Sequence, residues 1–264
     1  MKNTDKEIKV ILDELYLKYN RSNFIENDPI SIPHLFSNKN DIEIIAFLIS
    51  ILAWGQRKSI INSGKKLIEI FDKHPFQFIT QHQDADLKSC LGFVHRTFND
   101  TDLLSIIGFL KEIYQTSNSL ETAFSKHILP KDANIENGLN GFRKDFENSL
   151  SFINRTKKHI AHPLSGSACK RLSMFLRWMV RKDEKGVDFG IWTSIKPSQL
   201  ICPLDVHVIR QSIKLGLLKT DKANWIQAVD LTNKLKKFDK NDPVKYDFAL
   251  FGLGVGEKYN EISY

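Results

Sequence analysis

The sequence predicts an all-α protein. Apolar residues recur at spacings of three and four along almost the whole chain, which is the periodicity of helices that bury one face. No long alternation of apolar and polar residues bounded by turn residues occurs, so any strand is expected to be an exception. With 264 residues, of which 42% are hydrophobic and 26% charged, the chain is able to bury a substantial core.

Eleven helices follow from this periodicity. In chain order they are Lys6–Lys18, Asp41–Ala53, Lys58–Lys73, Asp100–Gln115, Ser119–Lys126, Gly138–Leu150, Arg155–Ala161, Cys169–Lys182, Val206–Leu215, Lys222–Lys237 and Pro243–Phe251. Some ends have a chemical signal. Asp242 followed by Pro243 suits an N-cap and a first helical position, and Gly216 and Gly252 stand where two of the helices are expected to stop.

Two stretches that contain proline and glycine, 22–39 and 186–203, are predicted to be linkers. They divide the chain into a central helical domain, 40–185, and a second, discontinuous lobe formed by 1–39 and 186–264. A two-lobed helical body is expected to have a cleft between its lobes, and such clefts commonly bind ligands.

Several classes of protein are excluded by the composition. No apolar run approaches the roughly 20 residues that a membrane-spanning helix needs, and the amphipathic, charged N-terminal segment does not resemble a signal peptide. The three cysteines, Cys90, Cys169 and Cys202, lack any C-x-x-C spacing, so we expect neither a disulfide scaffold nor an iron–sulfur cluster. A cytoplasmic protein without a cofactor and without a membrane partner is predicted.

The net charge of +7 indicates an anionic partner, because basic proteins commonly bind nucleic acid. The excess is concentrated in one place. Between Arg155 and Lys185 there are nine cationic and two anionic residues, so this segment alone accounts for the whole +7.

The same basic segment contains a tight turn between two predicted helices. The small residues Gly166, Ser167 and Ala168 form its centre. Such a turn presents backbone amides at the start of the next helix, which suits a phosphate oxygen, although a plain interhelical loop has the same composition.

On the helix after the turn, an apolar stripe faces away from a mixed polar face. The stripe comprises Leu172, Phe175, Leu176 and Met179, and the opposite face comprises Lys170, Met174, Arg177 and Arg181. For Arg181 and Lys182 a solvated charged face is the expected explanation. Lys170 differs, because the helix dipole and the adjacent Arg171 both favour its neutral, nucleophilic amine.

A second polar segment, Pro203–Arg210, contains Asp205 at the expected start of the Val206 helix. Its default role is that of an N-cap, which holds a carboxylate rigidly and ionised at a helix end. His207, one turn into the helix, is predicted to pack or hydrogen-bond, because no cluster of other metal-ligating residues accompanies it.

Together the two segments resemble the helix-hairpin-helix DNA glycosylase superfamily. Its pattern L-P-G-x-G-x-K is matched by Leu164–Lys170, and its pattern V-D-x-H-V-x-R by Leu204–Arg210. A third stretch, Leu52–Asn62, is similar to the family's L-x-x-Q-x-x-x-x-x-N sequence. The resemblance implies that Lys170 forms a Schiff base, that Asp205 is the catalytic aspartate and that Gln56 fills the space left by a flipped base.

The chain also departs from the superfamily's pattern. Ser165 replaces the hairpin proline and Ala168 the second glycine. The long spacing between Lys170 and Asp205 and the missing cluster cysteines look more like the archaeal-type 8-oxoguanine glycosylases. The whole is also similar to a bacterial family of unassigned function that has the run F-L-R-W-M-V-R, here Phe175–Arg181.

What the resemblance implies is a monomeric base-excision repair enzyme, a DNA glycosylase with AP lyase activity. Its partner would be double-stranded DNA with a damaged base, favouring an oxidised purine such as 8-oxoguanine, and it would join the nucleoid when bound. The expected DNA contacts are Gln56, Lys157, Lys158, Ser165, Gly166, Ser167, Ala168, Arg171 and Arg177. The candidate base pocket comprises Met174, Asp247, Phe248 and Phe251, with core packing as the alternative for the two phenylalanines. A non-catalytic DNA- or RNA-binding module that keeps the fold is the alternative function.

Overall fold

The structure is a computed structural model that describes residues 4–261, with side chains described as far as residue 254. Helix accounts for 62% and strand for 2%, so the predicted all-α class is confirmed. No helix among the described residues is long and apolar enough to span a bilayer.

Twelve α-helices and one two-stranded hairpin occur in the described residues. The helices are α1 Asp5–Tyr19, α2 Asn23–Glu26, α3 Lys39–Leu52, α4 Arg57–Ile70, α5 Pro75–Gln81, α6 Asp100–Thr116, α7 Glu121–Ser125, α8 Glu136–Asn148, α9 Lys170–Val180, α10 Val206–Lys214, α11 Trp225–Leu235 and α12 Tyr246–Glu261. The antiparallel strands are β1 Val94–His95 and β2 Phe98–Asn99. Short 3-10 helices lie at Pro29–Ser31, Pro33–Leu35, Asp86–Cys90, Thr156–His159, Pro163–Ser165, Pro197–Gln199 and Pro243–Lys245.

The chain divides into two compact units. Unit 1 combines the described parts of Met1–Phe24, Asp132–Ile135 and His162–Tyr264, and unit 2 combines Ile25–Lys131 and Glu136–Ala161. The predicted domain boundary after residue 185 therefore differs from the observed division, which lies after residue 161. Residues 162–185, with the turn and α9, belong with the terminal segments because the arginines of α9 pair with carboxylates there.

Unit 2 is built around α3. Every residue from Ile42 to Leu52 is buried, as expected of an uninterrupted apolar run. The one carboxylate in this run, Glu43, accepts hydrogen bonds from the Tyr114 hydroxyl at 2.9 Å and from the Leu120 amide at 2.8 Å. These bonds offset the cost of burying the charge and fix α3 to the start of α7.

In unit 1, helices α1 and α10 both approach α12 at glycines. A Cβ on Gly252 would lie 2.3 Å from Cγ of Tyr19, and one on Gly254 would lie 2.9 Å from Cβ of His207. The prediction that Gly252 ends the last helix is wrong, since α12 continues to Glu261. Its glycines permit close helix packing instead.

The predicted linker 186–203 is part of the interior of unit 1. Val187 and Trp192 are buried, and the amides of Phe189 and Trp192 donate to carbonyls at the end of α9 at 2.8 and 2.9 Å. This segment therefore satisfies orphan carbonyls that a helix end would otherwise expose to water.

The predicted helix Arg155–Ala161 is only the 3-10 turn Thr156–His159. Nη1 of Arg143 binds the carbonyls of Lys157 at 2.7 Å and Ile160 at 2.6 Å. The Thr156 hydroxyl donates to Asp102 at 2.8 Å. These side-chain bonds hold the backbone in a tighter, shorter turn than helical propensity predicts.

Candidate active site

The turn that precedes α9 depends on a glycine. After the 3-10 helix Pro163–Ser165, Gly166 has φ of +77°, a left-handed conformation that other residues adopt at a cost. Its carbonyl accepts a bond of 3.2 Å from the Trp225 amide, which joins the turn to the start of α11. Ser165 and Gly166 are exposed, whereas Ala168 is buried.

The side chains of Ser165 and Ser167 stabilise the same turn. The Ser165 hydroxyl donates to the His162 carbonyl at 2.7 Å, and the Ser167 hydroxyl accepts from the Cys169 amide at 3.1 Å. Cys169 has φ of +51° and makes no side-chain cap to α9. This turn therefore fixes the direction in which the chain enters α9, which begins at Lys170.

Lys170 and Asp205, singled out separately in the sequence, are neighbours in the structure. Nζ of Lys170 lies 3.9 Å from Oδ2 of Asp205. Their side chains are 28% and 19% exposed, so the pair is accessible yet largely shielded from water. Partial shielding strengthens the electrostatic interaction between an amine and a carboxylate.

The two oxygens of Asp205 have different roles. Oδ1 accepts from the amides of His207 at 2.9 Å and Val208 at 3.0 Å, which confirms the predicted N-cap of α10. Oδ2 is the oxygen that faces Lys170. The cap fixes the orientation of the carboxylate. This orientation holds Oδ2 toward the amine of Lys170.

Helix α12 anchors both helices that contribute to this pair. It contacts α10 closely at Gly254, whose carbonyl accepts from Nη2 of Arg210 at 3.1 Å. It holds α9 through an ion pair between Asp247 and Nη1 of Arg177. The distance between Lys170 and Asp205 is thus set by the packing of α9 and α10 on a common helix.

The structure contradicts the expected DNA contact of Arg177. The side chain is 5% exposed and pairs with Asp247 and, at 3.2 Å, with Asp188. A guanidinium held between two buried carboxylates contributes to the interior of unit 1 and cannot also reach a phosphate.

Arg181 is likewise buried, contrary to the solvated face that the sequence predicted. It pairs with Asp183 at 2.7 Å, Asp188 at 3.1 Å and Asp242 at 2.9 Å. Because Asp242 is engaged here, its side chain makes no cap to the 3-10 helix Pro243–Lys245. Part of the positive charge counted in the basic segment is therefore compensated by buried carboxylates, some nearby in sequence and some distant.

Asp247 is a buried acid near the pair, and its pKa is perturbed. Burial raises its pKa to about 6, with repulsion from Asp205 adding to the effect while Arg177 and Lys170 oppose it. A buried carboxylate that responds to both Lys170 and Asp205 is electrostatically coupled to them.

The remaining predicted pocket residues divide into two groups. Phe248 is 1% exposed and lies under the Arg177 guanidinium, 4.3 Å from its ring centroid, so it belongs to the core and the predicted contact with a base is wrong. Phe251 is half-buried beside His207, with ring centroids 6.1 Å apart. Met174, one turn after Lys170, is also partly exposed.

Three predicted DNA contacts lie in unit 2. Gln56 is the residue before α4, and Lys157 and Lys158 lie on the turn Thr156–His159; all three are exposed. In unit 1, Arg171 is half-buried, and desolvation lowers its pKa. Within the part of the chain that is described, no three His, Cys, Asp or Glu residues are grouped to hold a metal ion.

Sequence reasoning missed Asp188, which bonds both buried arginines of α9. It lies in the segment interpreted as a linker. The signal was present, because Val187, Trp192, Ile195 and Leu200 give that segment more large apolar residues than a solvated linker contains.

The family model of DUF2400, described as a protein of unknown function, matches residues 28–256. The chain belongs to this family. No curated protein and no solved structure matches the chain. In this DUF2400 member the matched range includes Lys170 and Asp205, all of α9 and α10, and α12 as far as residue 256.

Proposed function

We propose that this DUF2400 protein is a DNA glycosylase with AP lyase activity, built on a helix-hairpin-helix glycosylase fold. The observation that carries the proposal is the approach of Lys170 Nζ to Asp205 Oδ2 at 3.9 Å, each residue at the N-terminal end of a helix. A pure binding module has no need of an amine and a carboxylate placed in this way.

In the proposed reaction the neutral amine of Lys170 attacks C1′ of the damaged nucleotide, and the bond between C1′ and the base breaks with its electron pair leaving on the base. Asp205 Oδ2, in its ionised form, stabilises the positive charge that develops on the sugar, and the departing base takes a proton from water. Asp205 then accepts a proton from the newly bonded nitrogen and returns it to the ring oxygen, which opens the sugar ring and leaves a protonated imine. Its electron withdrawal acidifies C2′, and β-elimination expels the 3′ phosphate and cuts the strand.

The proposed substrate is duplex DNA with a damaged base, an oxidised purine being favoured. The nucleotide would be rotated out of the helix to reach Lys170, as enzymes that act on a base require. Met174 on α9 and Phe251 on α12 are partly exposed, and these are the residues proposed to contact the extruded base.

Borohydride trapping tests the proposal directly, because it reduces an imine to a stable covalent bond. Duplexes containing 8-oxoguanine, uracil, an oxidised pyrimidine or an abasic site are incubated with the protein and borohydride. We expect a covalent adduct with wild type and none with Lys170→Ala. The matched control Lys182→Ala removes an exposed lysine just beyond α9 and should trap normally.

An adduct that persists in Lys170→Ala would overturn the assignment of the nucleophile. Absence of an adduct with every duplex would overturn the Schiff-base step. Absence of base release as well, with salt-dependent binding retained, would overturn the enzyme and favour the non-catalytic binding module.

A further inference from the structure

Trp54, in the loop after α3, is held between two buried histidines of unit 2. Its ring lies edge-on to His95, with centroids 5.0 Å apart, and stacks on His159 at 5.7 Å with 24° between the planes. Each histidine is 3% exposed, and His95 Nδ1 is 2.8 Å from the Ser63 hydroxyl. The indole therefore joins the loop at 53–56, the β1–β2 hairpin and the turn Thr156–His159 into one rigid region.

A second set of bonds ties the hairpin to that turn. Nη2 of Arg155 donates to the Thr97 carbonyl at 3.3 Å and pairs with Asp102 at 3.0 Å. Asp102 also accepts from the Thr156 hydroxyl at 2.8 Å. The hairpin tip and the residues around Lys157 are consequently held as neighbours by a buried carboxylate.

Arg96, at the hairpin tip, has φ of +56°, a conformation that is costly for a residue with a side chain. Its side chain lies against Gly55, where φ is +96° and a Cβ would come within 2.3 Å of Nη1 of Arg96. Two unusual backbone conformations thus place one guanidinium beside the loop that contains Gln56. Strain of this kind persists where the surrounding structure enforces it, often at a binding site.

Three polar side chains emerge from this region: Gln56, Arg96 and Lys157, all exposed. Gln56 makes no side-chain cap to α4. Within the described residues, neither Arg96 nor Lys157 forms an ion pair with a carboxylate, unlike Arg155, Arg177 and Arg181. Cations that are rigidly placed and left without counter-charges on the protein suit external anions.

We propose that Arg96 and Lys157 form a phosphate-binding surface of unit 2 for the backbone of a nucleic-acid duplex. The same region also contains the exposed amide of Gln56 and the partly exposed Trp54, which are groups that suit bases next to phosphates. The inference rests on the proposed function for its biological substrate, but it concerns binding of undamaged duplex and involves neither Lys170 nor Asp205.

The test is fluorescence anisotropy of the full-length protein with an undamaged, labelled duplex over a series of salt concentrations. Arg96→Asn removes one charge and introduces a residue that tolerates a left-handed φ. Lys157→Ala removes the second charge. Lys66→Ala, which removes an exposed charge from α4, is the control. Circular dichroism and thermal melting verify that each variant is folded.

We expect the double variant to bind roughly 10-fold more weakly or worse, and the slope of log K against log salt to fall by about 2, since each phosphate contact contributes about 0.9. The control should change neither. The proposed surface would be overturned by an equal loss of duplex affinity in Lys66→Ala or by an unchanged slope of log K against log salt. Binding of phosphatidylserine vesicles in place of duplex would also overturn it.

Borohydride trapping with the same variants separates this inference from the proposed enzyme. Trapping by wild type together with unaltered duplex binding in the double variant would overturn the surface alone. Loss of duplex binding in the double variant, with neither an adduct nor base release from wild type on any lesion, would support the surface and overturn the enzyme.

Discussion

Asp205 has two separable tasks, because a different oxygen performs each. Oδ1 caps α10, and Oδ2 faces Lys170. Asparagine retains a carbonyl oxygen for the cap but has no negative charge for the amine, whereas alanine has neither. The pair of substitutions therefore distinguishes a structural from a chemical role.

We predict that Asp205→Asn leaves the free energy of unfolding within about 0.5 kcal/mol of wild type, while Asp205→Ala lowers it by about 1 kcal/mol through loss of the cap. Both variants should lose base release and adduct formation, because the charge facing Lys170 is gone. Urea denaturation measures the first effect and borohydride trapping the second. Full adduct formation by Asp205→Asn would show that the carboxylate is only a cap.

Asp247 gives unit 1 a pH dependence whose sign is set by burial. Its pKa is raised to about 6 from 3.8, so the folded protein holds this proton more tightly than the unfolded chain does. The corresponding stabilisation is complete well below pH 4 and is lost as the pH rises through 6.

We predict that between pH 4 and pH 7 the wild type loses about 2 kcal/mol of stability relative to Asp247→Asn, since one pKa unit corresponds to about 1.4 kcal/mol and part of the effect lies below pH 4. Urea denaturation at several pH values measures this difference. Asp221→Asn, at an exposed position, is the control and should leave the pH dependence unaltered. Parallel pH profiles for wild type and Asp247→Asn would contradict the prediction.

Sequence reasoning located Lys170 and Asp205 because each has a local signal, a first-turn lysine after a small-residue turn and an acidic residue before an amphipathic helix. It misjudged Arg177, Arg181 and Phe248 for a common reason. Helical periodicity shows that two residues share a face but not what that face meets. The two arginines pair with Asp188 in the following segment and with Asp242 and Asp247 about 60–70 residues away. None of these pairings follows from the periodicity of α9.

At the scale of elements, α12 shows how a glycine can be misinterpreted. A glycine near the end of a periodic segment suggests a stop, but the φ of a helix terminator is left-handed, and Gly252 lies within a continuing helix. Gly216, after α10, does have φ of +73° and fulfils the predicted role. Gly252 differs from Gly216 because it serves packing: the ring of Tyr19 occupies the space that a Cβ at Gly252 would need.

We predict that Gly252→Ala destabilises the protein by about 2 kcal/mol. A Cβ 2.3 Å from Cγ of Tyr19 puts the overpacking cost near the upper end of the usual range of roughly 1–3 kcal/mol, and the gain in helix propensity returns about 1. Urea denaturation of Gly252→Ala, Tyr19→Ala and the double variant measures the coupling. In the double variant the added methyl group should no longer be destabilising. A Gly252→Ala variant as stable as wild type would show that α1 does not depend on this close approach.

At the scale of the whole molecule, the net charge of +7 is a poor guide to the surface. Two cations of the basic segment, Arg177 and Arg181, lie in the interior of unit 1. There they pair with Asp183 of the same segment and with three aspartates outside it, Asp188, Asp242 and Asp247. The positive potential at the surface comes from exposed residues such as Lys157 and from Arg96, which lies outside the basic segment. Counting charges along the sequence thus predicted an anionic partner, but it assigned to the surface some cationic side chains that are buried in unit 1.

Arg181 also links elements of unit 1 that are far apart in the chain. Its guanidinium bonds the Tyr16 hydroxyl of α1 at 2.7 Å, Asp188 at 3.1 Å and Asp242 at 2.9 Å. All of these residues lie in unit 1. Removing one member of a buried ionic network leaves the others desolvated and unpaired, which is more costly than loss of a surface pair.

We predict that Arg181→Ala lowers the free energy of unfolding by about 3–5 kcal/mol and that the loss is concentrated in unit 1. Hydrogen exchange measured by mass spectrometry should show the largest loss of protection in α1, α9 and α12, with α3 and α6 of unit 2 affected least. Lys182→Ala, the exposed neighbour, should leave protection unchanged in both units. Equal loss in unit 1 and unit 2 would instead show that the two units unfold as one cooperative body, in which the network of Arg181 stabilises the entire chain.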